Sequence, residues 1–207
     1  MDSNKSMAKN ERTALIPQRK PGKQRVTAIL EAGAEVIAEK GYDGATMAEV
    51  AIRAGSPIGS LYRFFPNKEL LAEALIQRYA SKIDDAFDGI DSQVGILPLE
   101  DIADRIVDCM VSLHSESKAM LALLEARQEW STKRLEFRNA VLKHIVKTLT
   151  LLAPNLSQQT AENMAVVILH NMKMMKMLTY QPNVPNNRGA IEELRQMNRL
   201  YMVSKLG

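Results

Sequence analysis

Residues 46–71 read Thr46-Met47-Ala48-Glu49-Val50-Ala51-Ile52-Arg53-Ala54-Gly55-Ser56-Pro57-Ile58-Gly59-Ser60-Leu61-Tyr62-Arg63-Phe64-Phe65-Pro66-Asn67-Lys68-Glu69-Leu70-Leu71. Thr46 followed by Glu49 is a capping box: the hydroxyl accepts from the amide three residues on, and the carboxylate reaches back to the start. A helix to Ala54 follows, with Met47, Val50, Ala51 and Ala54 on its inner face. Gly55 makes a tight turn, Ser56 is a natural N-cap, and Pro57 falls at the first helical position, where a missing N–H costs nothing. The second helix stops near Phe64 or Phe65, because Pro66 disfavours a helical conformation at the residue before it. Two short helices about a glycine turn form a helix-turn-helix, and the second is too brief to bury much area, so its role is presentation.

Working outward, Val26, Ile29, Leu30, Gly33, Val36 and Ile37 recur at three- and four-residue spacing, so a helix starts at about Gln24 and Gly41 stops it. After the turn pair, Asn67 caps a longer helix whose apolar residues Leu71, Leu75, Tyr79, Ile83 and Phe87 run at four-residue spacing. Beyond Pro98 the periodic segments 99–114, 118–130, 133–152, 158–179 and 189–204 are all helical, and no strand pattern occurs. The reading is all-α, with about nine helices. It divides into a basic, disordered arm (1–23), a helix-turn-helix domain (24–70) and a ligand-binding and dimerisation domain (71–207).

The chain has 207 residues, a net charge of +3 and one cysteine. The single Cys109 excludes an internal disulfide and any paired-cysteine metal site, and reads as a buried apolar residue. No apolar run approaches the roughly 18 residues that span a bilayer, and the N-terminus has no leader pattern, so a cytoplasmic protein that does not enter membranes is expected. The excess charge is localised. Residues 1–25 carry Lys5, Lys9, Arg12, Arg19, Lys20, Lys23 and Arg25 against Asp2 and Glu11, whereas from Asn67 onward 17 basic side chains balance 17 acidic ones. Such a segment is either a solvated tail or an arm that supplements a DNA-binding unit.

Gly59 and Ser60 keep one face of the short second helix low enough for close approach to base edges, while Leu61 and Phe64 or Phe65 anchor the other face. The Tyr62 hydroxyl suits a phosphate, against the alternative of a core tyrosine with its tip in water. Ile58 has no donor and would read a thymine methyl, unless it packs inward. Lys68 opposes the positive end of its own helix dipole, and with the free amides after Asn67 it suits an anion.

These residues carry a resemblance. Gly41-Tyr42-Asp43-Gly44-Ala45-Thr46, then Ala51 to Leu71, is similar to the signature of TetR-family transcriptional regulators, over roughly residues 24–75. The resemblance implies a homodimer that binds a palindromic double-stranded DNA operator and releases it when a small molecule enters the C-terminal domain. Matched residue by residue, it implies backbone contact for Thr46, phosphate contacts for Tyr62 and Lys68, and a base-facing surface at Pro57, Ile58, Gly59 and Ser60, with Ser56 beside them. Many relatives have Val and then Ser or Thr where this chain has Ser56-Pro57, which removes a hydroxyl that often contacts DNA.

The most apolar segment runs from Met164 to Leu178, and a helix apolar on nearly every side must be covered on nearly every side. The resemblance places a dimer seam on the last two helices, for which Met164, Ile168, Met175, Ile191, Leu194, Met197 and Tyr201 are the candidates. Met110, Leu113, His114, Leu121, Glu125, Gln128, Trp130, Phe137 and Met172 mix apolar bulk with polar handles and are the candidates for a pocket taking a mostly apolar effector. An enzyme is the contrasting class. His114, His144 and His170 lie on three helices, but no Glu-x-x-His pair, phosphate loop or nucleophile signature accompanies them, so a metal-dependent helical enzyme is the weaker reading. A plain helical interaction module leaves the Gly59-Ser60-Leu61-Tyr62 surface and Lys68 unexplained. No catalytic residue, metal or cofactor is expected.

Overall fold

A computed structural model describes residues 19–113, 119–120, 122–123, 131–180 and 187–207. The helices are α1 (Lys20–Gly44), α2 (Met47–Arg53), α3 (Ile58–Phe64), α4 (Lys68–Asp91), α5 (Leu99–Ser112), α6 (Ser131–Leu152), α7 (Gln158–Tyr180) and α8 (Asn187–Leu206). Among the described residues the only β pairing is an isolated bridge between Val94 and Leu97. Residues 119–120 and 122–123 are also helical, and most of the helix expected over 118–130 lies outside the described residues. None of the helices among the described residues is long and apolar enough to cross a membrane.

The chain divides into two compact units, Met1–Leu75 and Ile76–Gly207. In the first, Ile29, Val36, Ile37, Tyr42, Val50, Leu61 and Leu71 are essentially inaccessible, which is the apolar periodicity of α1 to α4 brought to one centre. Helix α1 starts at Lys20, with Pro21 in its first turn, four residues earlier than the apolar pattern suggests. Proline costs no hydrogen bond there, so a polar turn adds itself ahead of the periodic run. Gly41 breaks the helical path with φ +72°, a conformation that a residue with a Cβ rarely adopts.

The α2 terminus is a Schellman motif: Ser56 N–H donates to the Ala51 carbonyl at 3.0 Å, and Gly55 N–H donates to Ile52 at 3.1 Å. Gly55 holds the left-handed φ of +58° that this motif requires. The expected Ser56 N-cap is corrected. Pro57 caps α3, its carbonyl accepting from Ser60 and Leu61, and the Ser56 hydroxyl is buried without a partner. Pro57 keeps an extended ψ of 137° and so stands just outside the helix, and α3 begins one residue later, at Ile58.

In the second unit, Tyr79, Ile83 and Phe87 of α4 join Ile102 and Ile106 of α5, Ile145 and Leu149 of α6 and Ile168 and Met172 of α7 in one core. Full burial of each such side chain contributes about 1.5–3 kcal/mol. Buried Asn198 donates to the Ala103 carbonyl at 3.2 Å, and Arg199 grips Asp104 through two N–H groups, so α8 is fixed along α5 by polar bonds as well as packing. Cys109 is 3% exposed, and burial pushes its thiol up to about 11. Because the thiolate is the nucleophile, Cys109 in the native protein resists alkylation at pH 8 and reacts fully only in denaturant. Rapid labelling of the folded chain, read by intact mass, would contradict its burial.

Candidate nucleic-acid interface

Helix α3 is built to present one face. Leu61 is fully buried and Phe64 and Phe65 nearly so, which pins its inner side, while Ile58 is 44% and Tyr62 47% exposed. Pro57 and Gly59 are exposed between them and Ser60 is half-buried. A Cβ built at Gly59 meets nothing within 4 Å, so the space in front of α3 is open. Ile58 and Tyr62 thus both stand on the exposed side of α3. Thr46 starts α2 as read: its hydroxyl accepts from Glu49 N–H at 3.2 Å and donates to the Glu49 carboxylate at 3.1 Å. Glu49 also receives Lys40, whose hydrogen bond is the largest influence holding the Glu49 carboxyl below its ordinary range. Arg53 makes a two-pronged bond with Glu39, at 2.6 and 2.7 Å.

Two of the expected DNA-contacting side chains are engaged or enclosed within the unit itself. The Ser56 hydroxyl is sequestered, so it presents no donor outward. Lys68 is the larger change. Its ammonium has three protons, and the structure gives it three backbone acceptors: Tyr42 at 2.8 Å, Ala45 at 3.1 Å and Asp43 at 3.3 Å. It also lies 4.4 Å from the centre of the Tyr42 ring, a cation–π distance. These carbonyls lie in the short segment after the Gly41 break, between the long run of α1 and the start of α2. A cation that is misplaced on its own helix is well placed against this segment. Asn67 caps α4 as expected, its side-chain oxygen accepting from Leu70 N–H at 2.8 Å. One residue outside the predicted set does reach this face: Arg25 Nη1 lies 3.4 Å from Ser60 Oγ.

In the second unit the seam candidates separate. Met164, Ile168 and Met175 are at most 1% exposed and Leu194 is 5% exposed, so they are core and not available to a partner. Ile191 and Tyr201 are partly buried against that same unit, and only Met197 faces out. The exposed apolar residues of α7 and α8 are instead Val166, Val167, Met174, Met177 and Tyr180 with Met197, Leu200 and Val203. A helix apolar all round gives its most apolar stripe to its own subunit and leaves the next one outside.

Of the pocket candidates, Met110, Leu113, Phe137 and Met172 lie in or against the main core, whereas His114, Leu121, Glu125, Gln128 and Trp130 lie outside the described residues. A cleft of about 510 Å³ opens elsewhere in this unit, lined by Ala86, Ile90, Leu97, Asp101, Asp104, Arg105, Asp108, Cys109, Ser112 and Arg195. None of the four described candidates lines it. His144 Nε2 is 2.7 Å from Asp84 with its ring stacked on Phe87, and His170 Nδ1 is 2.7 Å from the Val166 carbonyl. Among the described residues no group of three His, Cys, Asp or Glu could hold a metal ion.

Comparison with known proteins finds this fold elsewhere. Residues 29–75 match the model of the family described as bacterial regulatory proteins, tetR family. A transcriptional regulator (TerR/AcrR family) of Aquifex aeolicus is similar at 22% identity and a TM-score of 0.69, covering 86% of this chain and 99% of that one. A TetR-family transcriptional regulator from Streptomyces coelicolor gives 23% identity and 0.60, covering 90% and 99%. The transcriptional regulator FadR from Bacillus subtilis, in complex with stearoyl-CoA, gives 18% and 0.64, covering 83% and 96%. No curated protein matches in sequence.

Proposed function

We propose that this chain, whose residues 29–75 match the model of the tetR family of bacterial regulatory proteins, is a homodimeric repressor that releases a palindromic operator on binding a small, mostly apolar effector. The observation that carries the proposal is the α3 face. Ile58 and Tyr62 are exposed on a helix otherwise anchored by Leu61 and Phe64, and Gly59 leaves open space between them. In a duplex complex Pro57, Ile58, Gly59 and Ser60 face base edges, Ile58 touching a thymine methyl, while Thr46 and Tyr62 touch the backbone. Two copies enter successive major grooves about 34–36 Å apart.

The partner copy covers the apolar faces of α7 and α8. Val166, Val167, Met174 and Met177 lie on one side of α7, and Met197, Leu200 and Val203 on one side of α8, a patch of the sort that marks an interface. The effector enters the main core of the second unit. Met110, Met120, Met164, Met172 and Met202 all belong to that core, and flexible thioethers can re-pack around an apolar guest. FadR, similar in fold, was crystallised with stearoyl-CoA, which carries a long apolar chain. Helix α4 runs without a break from the first unit into the second and is the element through which effector binding acts on α3. A coupling of about 1–3 kcal/mol already changes operator affinity 5- to 150-fold.

The test is selection of bound sequences from a random duplex pool at low ionic strength, with the oligomeric state measured by light scattering. A palindrome recovered by a dimer is expected. Monomer that retains no duplex would end the proposal. Introducing charge into the seam with the double variant Met174→Lys/Leu200→Glu should give folded monomer whose operator binding is lost at concentrations that saturate the parent.

A further inference from the structure

The α1 terminus adds a charged surface to the α3 face. From Arg19 to Leu30 the chain carries Arg19, Lys20, Lys23 and Arg25 and no acidic residue. The first turn of α1 contains no acid, and Arg19 makes no capping bond through its side chain. Cations at the positive end of a helix dipole are locally unfavourable, and no ion pair among the described residues offsets them. All four side chains belong to exposed residues. What gives the cluster a direction is Arg25. Its Nη1 lies 3.4 Å from the hydroxyl of Ser60, so this end of α1 adjoins the exposed side of α3. That bond is long and weak and engages one of five guanidinium N–H groups, which leaves the fork free for a second oxyanion acceptor.

We propose that the start of α1 is a second DNA-contacting element, in which Arg25 binds the backbone phosphate flanking the bases under α3, and Lys20 and Lys23 extend the footprint outward. The inference rests on the operator binding proposed above. Arg25 stands on a different helix from the reading residues and reaches only the rim of their face, which suits the strand backbone rather than a base edge. Phosphate oxygens match the planar fork of arginine with two parallel bonds. The polar segment that looked like a loose tail is thus, from Lys20 on, a helix that holds its cations at fixed positions.

The experiment compares the full-length protein with Arg25→Ala, Arg25→Lys and Lys20→Ala/Lys23→Ala on one operator recovered by selection, with salt titrations from 50 to 200 mM. Arg25→Ala should lower the slope of log K against log salt by about one per protomer and weaken binding roughly tenfold or more at 0.1 M salt. The loss should be the same for operator variants, and backbone protection beside each half-site should disappear from a hydroxyl-radical footprint. Arg25→Lys should restore the slope without restoring full affinity. Thermal melting of each variant confirms that the exposed substitutions leave the fold intact. An unchanged slope and footprint would overturn the proposal, as would a loss confined to particular base pairs, which would make Arg25 a base reader. Parent protein that retains no duplex at all would instead overturn the operator reading itself, so the two failures are distinguishable.

Discussion

Replacing Lys68 with methionine lowers the stability of the helix-turn-helix unit by about 1–3 kcal/mol and leaves the salt dependence of DNA binding unchanged. The aliphatic length is retained, so packing is preserved and only the ammonium is lost. Its removal strands the carbonyls of Tyr42, Asp43 and Ala45, which it bonds at 2.8–3.3 Å, and removes the cation from the face of the Tyr42 ring. Hydrogen bonds to charged groups contribute about 1.5–3 kcal/mol each, and partial water access to these carbonyls brings the sum down. The neighbouring bond from the Tyr42 hydroxyl to Glu69, at 3.2 Å, ties the same two helix ends and should loosen with it. Urea titration measures the loss, and hydrogen exchange at residues 42–45 locates it. A variant as stable as the parent whose salt slope falls by one would return Lys68 to the phosphate.

That reversal shows where reading a sequence stops. Lys68 was legible as an anomaly, because a cation in the first turn of a helix opposes the local dipole. What relieves it lies 23–26 residues away, in the segment ahead of α2, and no local rule reaches that far. The four-residue spacing of Leu71, Leu75, Tyr79, Ile83 and Phe87 needed no such information, and all five are buried. Thr46 and Glu49 read correctly for the same reason, since a capping box is complete within four residues. The α3 cap falls one position after Ser56 because Pro57 takes an extended ψ of 137° and not a helical one, a choice of backbone that the fixed φ of proline leaves open.

The stripes of α7 are a different case. Periodicity finds the most apolar stripe of α7, through Met164, Ile168 and Met175, but gives no hint that the subunit itself takes that stripe and leaves Val166, Val167, Met174 and Met177 outside. Helix α7 thus carries a second, exposed apolar face beside its core face, the surface that the proposed partner copy would cover. Arg25 was visible only as one charge among seven in a basic segment. Its place beside Ser60 required the packing of α1 against α3.

The open space in front of Gly59 supports the sharpest test of the reading face. Gly59→Ala should fold at least as well as the parent, because a Cβ there meets nothing within 4 Å and alanine removes the roughly 0.5–1 kcal/mol that glycine costs within a helix. Gly59→Glu should also fold, since the site is exposed and a carboxylate near a helix N-terminus is favoured by the dipole. Both should lose operator affinity, the glutamate far more. It brings negative charge and bulk to the surface that must lie against base edges, at a cost of about 1–3 kcal/mol for each of two copies, or roughly 30-fold or more in affinity. Stability and binding therefore move in opposite directions for alanine and diverge widely for glutamate. This pattern is difficult to obtain if α3 is an ordinary structural helix, because there a residue with no neighbours has no means of affecting anything else. Retained operator binding by Gly59→Glu, with an unchanged melting profile, would show that DNA meets the protein somewhere other than this face.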